Sequence, residues 1–229
     1  MGQYARIRRL LFQIRILREC SGAELIELGR SAQVLRYDAG ETIADQADAP
    51  TAVSLLAFGR VRPRIITENG RELVVGEIEA GDFFGEEALT RASTRRATIV
   101  AMNEATVVSV PAESFASFLR THPRVAYEFA LQVTRRLGVA CESAAWLGLL
   151  SVEERLLRTL VRLGGVDGEE RRDGVLLRRC PTHVELAAHV GACRETVTRA
   201  FQSLKRRGLL VQQGSGCLVR HPASGGEAD

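Results

Sequence analysis

The sequence predicts an α+β protein in three parts: an N-terminal β-sandwich or roll, one long helix and a C-terminal winged helix-turn-helix. Three observations carry this. Between about 33 and 110, β-rich runs such as "TAVSLLAFG", "RELVVGEI", "RATIVAM" and "ATVVSV" alternate with glycine turns, the texture of a sandwich or roll. From Ala126 to Leu147, apolar residues recur at alternating steps of four and three, a 3.5-residue period. From Thr182 onward, a helix, a glycine break, a second helix and two β runs around Gly-Ser-Gly follow one another.

Each element has a local cause. The opening "YARIRRLLFQIRIL" has helical apolar spacing, and Ser21 with Glu24 forms a capping-box pair that starts a short second helix. Gly40, Gly59, Gly70, Gly81 and Gly85 punctuate the strands, and Pro111 returns the chain to helix through "AESFASFL". His122-Pro123 opens the long helix, which is expected to run to about Leu147. Its seam is Ala126, Ala130, Val133, Leu137, Ala140, Ala144 and Leu147, flanked by Arg135, Arg136 and Glu142. Charged flanks beside a narrow stripe favour a dimer seam over an internal core face. Gly138 weakens the helix by roughly 1 kcal/mol relative to alanine, so the helix is expected to lean on its partner.

A second capping pair, Ser151 with Glu154, starts a helix expected to end near Leu163. "GGVDGEERRDG" then predicts a loop or hairpin. Thr182 with Glu185 caps "HVELAAHVG", Gly191 breaks the chain, and a helix over Arg194–Arg207 ends at Gly208. "LLVQQGSGCLVR" supplies the two strands of a wing.

Composition narrows the function. Of 229 residues 45% are apolar, enough for a core, and no apolar run approaches the ~18 residues of a membrane span. "MGQYARIRRL" opens no signal peptide, so a cytoplasmic protein without a membrane partner is expected. Cys20, Cys141, Cys180, Cys193 and Cys217 are odd in number and far apart, and the reading is reduced thiols with no metal site. An enzyme is not expected: there is no nucleophile–base motif, no H-E-x-x-H and no Walker lysine, Lys205 being the sole lysine. Net charge is only +3, yet residues 171–220 carry ten basic and three acidic side chains. A basic module on a mildly acidic body points to a polyanion partner.

"RETVTRAFQSLKRR" says which polyanion. Val197, Ala200, Phe201 and Leu204 form the apolar stripe, while Arg194, Glu195, Thr198 and Arg199 share the exposed first turns. A helix entering the major groove N-terminal end first presents such positions to base edges. Arginine bonds guanine bidentately, and glutamate accepts from cytosine N4. Lys205, Arg206 and Arg207 suit phosphates, and Thr182 completes the expected DNA-contacting set. The competing reading is a solvated face held by a Glu195–Arg199 pair worth only ~0.3 kcal/mol.

"VGACRETVTRAFQSLKRRGLL" resembles the DNA-binding end of the Crp/Fnr superfamily of bacterial regulators. "AGDFFGEEALTRASTRRATIVA" resembles the phosphate-binding cassette of their cyclic-nucleotide-binding β-roll. The likeness is colinear over roughly 8–220. It implies a sensor β-roll over 1–120, a dimerisation helix over 121–149 and a winged helix-turn-helix DNA-binding domain over 150–229. It implies a homodimer that reads double-stranded DNA through Arg194, Glu195 and Arg199, at a palindrome of TGTGA-like half-sites. It also implies activation through RNA polymerase, near Val166–Gly174. The alternative is a cyclic-nucleotide-binding signalling module whose C-terminal domain contacts protein rather than DNA.

Carried onto this sequence, the cassette comprises Gly85, Glu86, Glu87, Ala88, Leu89, Arg95, Arg96 and Ala97. In nucleotide-binding relatives backbone amides cradle the cyclic phosphate, the glutamate takes a ribose hydroxyl and an arginine pairs with the phosphate. Arg95 stands nine residues after Glu86, and Arg96 is its rival at ten. Three departures accompany the likeness: Arg96 where serine or alanine is usual, Ala140 and Cys141 where polar groups meet the base, and no glycine in "ADQADAPTAV". A nucleotide such as cyclic AMP and no effector at all both remain open. None of His122, His183, His189 and His221 lies in the roll, so no haem ligand is expected there. Cys193 stands where a serine or threonine cap is usual, and either a redox-sensitive contact or a plain small residue is possible; Cys141 is either a cross-dimer partner or inert. Any signal is expected to pass through repacking of the dimer helices.

Overall fold

Local caps and apolar periods account for the helices of a computed structural model that describes residues 3–90 and 92–220. α1 (Gln3–Leu11) buries Ile7 and Leu11, and a 3-10 turn after it buries Ile16 and Leu17. The expected capping box starts α2 (Gly22–Gly29): Glu24 N donates to Ser21 Oγ at 3.4 Å, and Ser21 N donates to Glu24 Oε2 at 2.6 Å.

The roll is built from β1 (Gln33–Tyr37), β2 (Thr42–Ala44), β3 (Ala52–Phe58), β4 (Arg60–Ile66), β5 (Glu72–Val74), β6 (Ile78–Glu79), β7 (Phe83–Phe84), β8 (Thr98–Ala101) and β9 (Ala105–Pro111). One antiparallel sheet runs β1-β9-β3-β7; the other runs β2-β8-β4-β5, with β6 on β4. Successive strand residues point to opposite faces, and here both faces are apolar. Leu55, Phe83 and Val108 join the helices in one core, while Leu56, Phe84 and Val107 fill the other. α3 (Ala112–Thr121) closes the first core with Phe115 and Phe118.

α4 (Pro123–Leu149) is the long helix, two residues longer than the sequence suggested. Of its predicted seam, Val133 packs partly on the N-terminal core, whereas Leu137 is 62% and Leu147 40% exposed in the single chain. The chain divides within this helix into two units, Met1–Gly138 and Val139–Asp229.

In the second unit Ser151 and Glu154 form the second capping box, heading α5 (Val152–Asp167). Here the sequence reading is corrected: α5 runs through Gly164 and Gly165 instead of stopping near Leu163. The reason is packing. A Cβ on Gly164 would lie 2.4 Å from Val175 Cγ1, so the bare residue lets the helix approach the strand behind it. Gly164→Ala is therefore expected to lower this unit's stability by about 1–2 kcal/mol through overpacking, measurable by urea titration. Val175→Ala in the same background should recover part of that loss.

The hairpin β10 (Glu169–Arg171) and β11 (Gly174–Leu177) precedes α6 (His183–Val190) and α7 (Arg194–Arg206). β12 (Leu210–Gln213) and β13 (Gly216–Arg220) make the wing, in a sheet ordered β10-β11-β13-β12. Leu156, Leu160, Leu186, Val197, Phe201, Leu204 and Val219 share one core. His221 and the tail beyond it lie outside the described residues.

Candidate nucleic-acid interface and sensor cassette

The third capping box is present at the head of α6. Glu185 N donates to Thr182 Oγ1 at 3.2 Å, and Thr182 N donates to Glu185 Oε2 at 2.7 Å. Thr182 thus has a structural task beside any DNA contact. α7 buries the predicted stripe, Val197, Ala200, Phe201 and Leu204. Arg194, Glu195 and Arg199 are exposed at its N-terminal end, and Lys205 and Arg206 further along. Bonds from its own backbone amide and from the Cys193 side chain, with smaller help from Arg194 and Arg199, hold the Glu195 carboxyl below the usual carboxylate range. It is an anionic acceptor flanked by two cations.

Several of the expected DNA-facing residues have intramolecular partners: Thr182 in its capping box, Arg199, whose Nη2 donates to Thr196 Oγ1 at 3.3 Å, and Thr198 and Arg207 as follows. Thr198 Oγ1 donates to Arg194 O at 2.9 Å and lies 2.8 Å from His183 Nδ1. His183 in turn packs its ring 4.9 Å from Phe201, so this triad braces α6 against α7. Arg207 is held by Glu153 of α5, a partner that the sequence reading did not foresee. A long-range pair of this kind leaves no local trace in the sequence.

Cys193, the N-cap of α7, makes no capping bond. Its Sγ lies 3.1 Å from Thr196 Oγ1, and the bond with the Thr196 hydroxyl lowers the thiol's pKa. Thr196 was not singled out from sequence. The Cys20 thiol, in contrast, is pushed up to about 11 by burial and by Glu24 and Glu19. The thiolate is the reactive form, so iodoacetamide near neutral pH is expected to alkylate Cys193 well before Cys20, as read by peptide mass spectrometry.

The cassette is equally specific in its geometry. Gly85 adopts φ +80°, and a Cβ there would meet Ala52 O at 2.9 Å and Arg95 Nη1 at 3.2 Å. Arg95, with a side chain only 10% exposed, pairs with Glu87 Oε1 at 3.4 Å. Its backbone N donates to Asp48 O at 2.9 Å. Arg96 is exposed, so Arg95 is the arginine that enters the cassette. Ala88 is buried, Leu89 packs on the N-terminal core, and Ala97 leads into β8.

α4 supplies what sequence reasoning missed. Arg136 Nη1 donates to Glu86 Oε1 at 3.0 Å; Nη2 donates to Asp82 Oδ1 and to Phe83 O. The guanidinium lies 4.5 Å over the Phe83 ring, which stacks on Phe129 at 4.6 Å. Gln132 also donates to Asp82. Phe129, Gln132, Val133 and Arg136 fall at i, i+3, i+4 and i+7, one helix face. Arg136, read from sequence as a seam flank, instead anchors α4 to the cassette. That spacing was the available signal, but a polar face beside an apolar seam looks the same whether solvent or protein covers it.

Comparison with known proteins places this geometry. A family model for the cyclic nucleotide-binding domain matches residues 34–122, and one for the Crp-like helix-turn-helix domain matches 154–224. The "Cyclic AMP receptor protein" of Thermus thermophilus is 32% identical over 191 residues, covering 82% of this chain and 83% of that protein. The chain belongs to the Crp/Fnr family. Another member, the "cAMP-activated global transcriptional regulator CRP" of Escherichia coli, is 27% identical over 186 residues, covering 80% of this chain and 88% of that one. Among solved structures, the "c-di-GMP Responsive Global Regulator CLP" of Xanthomonas campestris superposes with a TM-score of 0.76 at 24% identity, over 88% of this chain and all of that one. Crp/Fnr proteins are DNA-binding transcriptional regulators, and this chain carries both parts that the family combines, the β-roll and the helix-turn-helix. Among the described residues no helix is long and apolar enough to cross a membrane.

Proposed function

We propose that this protein is a homodimeric, cytoplasmic transcriptional activator. It reads a palindrome of TGTGA-like half-sites, one α7 helix entering each of two successive major grooves about 34 Å apart. The observation that carries the reading is α7 itself. Its apolar face is locked into a core, and Arg194, Glu195 and Arg199 stand exposed at the end that would enter the groove. Arginine pairs with guanine, and glutamate with cytosine N4. The β12–β13 turn, exposed at Gln213, Gly214 and Ser215, sits at the wing's tip and suits a backbone contact.

Dimerisation is supported by the exposed Leu137 and Leu147 on the 3.5-residue seam of α4. The segment Val166–Gly174, with exposed Val166, Glu169 and Glu170, is the candidate contact for RNA polymerase. Fluorescence anisotropy on a duplex bearing two TGTGA half-sites tests the reading, alongside sedimentation for the dimer. Tight, salt-dependent binding that collapses on a scrambled duplex is expected. A monomer indifferent to DNA sequence would end the proposal. In vitro transcription from that duplex placed upstream of a promoter separates activation from repression.

A further inference from the structure

A cyclic mononucleotide brings one phosphate anion to the cassette, and the natural seat for it is Arg95 beside the bare backbone of Gly85. That seat is taken. Glu87 Oε1 lies 3.4 Å from Arg95 Nη1, and the two side chains are only 18% and 10% exposed. The same Arg95 nitrogen lies 3.2 Å from where a Gly85 Cβ would be, so the pair with Glu87 stands at the seat itself. The other cation of the region is committed as well, because Arg136 serves Asp82 and Glu86 together. Three carboxylates, Asp82, Glu86 and Glu87, are thus met by two guanidiniums, and the cassette carries a net negative charge before any ligand arrives. Arg96 is exposed and forms none of these pairs.

We propose that Glu87 is an internal anion standing in for the nucleotide phosphate, and that it sets the specificity of the cassette against cyclic mononucleotides. A phosphate entering here must take Arg95 from Glu87. It then leaves a second negative charge within a few ångströms in a partly desolvated site. Two like charges about 5 Å apart at an effective dielectric of about 20 repel enough to lower affinity about a hundredfold. The Arg95–Glu87 pair instead completes the cassette from within, and DNA reading proceeds without a cyclic mononucleotide.

Calorimetry on the full chain with cyclic AMP and cyclic GMP, each to about 1 mM, decides the matter. No saturable binding is expected for the wild type. Glu87→Gln, which keeps the shape and removes the charge, should bind about a hundredfold more tightly. Adding Arg95→Gln to that variant should abolish the gain. Circular dichroism melting checks that the variants fold, and Glu87→Ala serves if Glu87→Gln does not. Wild-type binding as tight as that of Glu87→Gln overturns the proposal; so does a folded Glu87 variant that gains nothing. In parallel, anisotropy on the palindrome should be unchanged by cyclic AMP in the wild type, and an increase in affinity of about tenfold or more would refute nucleotide independence. If no DNA binds under any condition, the reading of α7 fails while the calorimetry still decides the role of Glu87.

Discussion

Replacing Phe83 by alanine is expected to destabilise the N-terminal unit by about 3–5 kcal/mol, the usual range for emptying a buried phenylalanine site. Phe83 has no solvent exposure, pairs with Leu55 across the β3–β7 ladder and stacks on Phe129 at 4.6 Å. It also lies beneath the Arg136 guanidinium, 4.5 Å from the ring centre. Truncation therefore removes apolar burial, an aromatic contact worth about 0.5–1.5 kcal/mol and the platform under a charged group. Residue 83 is held by strand, helix and cation at once, so neighbours have little freedom to collapse into the space. Urea unfolding followed by circular dichroism measures the loss. Phe83→Leu is the control: it keeps most of the volume and should lose markedly less. A loss below about 1 kcal/mol for Phe83→Ala would mean that α4 does not depend on this contact.

Arg194→Ala is expected to weaken binding to the cognate palindrome by about 1–3 kcal/mol per half-site, a factor of roughly 5–150, with far less effect on random DNA. The asymmetry is the informative part. A bidentate arginine–guanine contact is lost only where guanine stands opposite, whereas a phosphate contact is lost on every duplex. Lys205→Ala, by the same reasoning, should weaken cognate and random binding alike and reduce the salt slope by about one. Anisotropy titrations on both duplexes at several salt concentrations separate the two behaviours. An equal loss on both for Arg194→Ala would move that residue from the bases to the backbone. Neither substitution should unfold the unit, because both side chains are exposed and outside the core of α7.

Features written in short spacings were legible in the sequence. Ser21, Ser151 and Thr182, each followed three residues later by glutamate, start helices as expected. The stripe Val197, Ala200, Phe201 and Leu204 is buried, and the opposite face of α7 is exposed. Such signals involve residues within one or two turns of each other, where backbone geometry alone decides which side chains meet. That was enough to assign the long helix and the winged helix-turn-helix and to nominate Arg194, Glu195 and Arg199, while the strand texture left sandwich or roll open until the family resemblance chose the roll.

Pairings between distant segments were decided by tertiary structure alone. Whether Arg95 or Arg96 enters the cassette depends on which of two adjacent residues faces inward ahead of β8. Arg136 reaches Asp82 and Glu86 fifty or more positions away. Glu153 captures Arg207, and Val175 leaves room on α5 for nothing larger than Gly164. A charged or glycine residue reads the same in sequence whatever stands across from it; its partner exists only once the chain has closed, and at ion-pair distance an ångström or a rotamer determines which carboxylate a guanidinium serves.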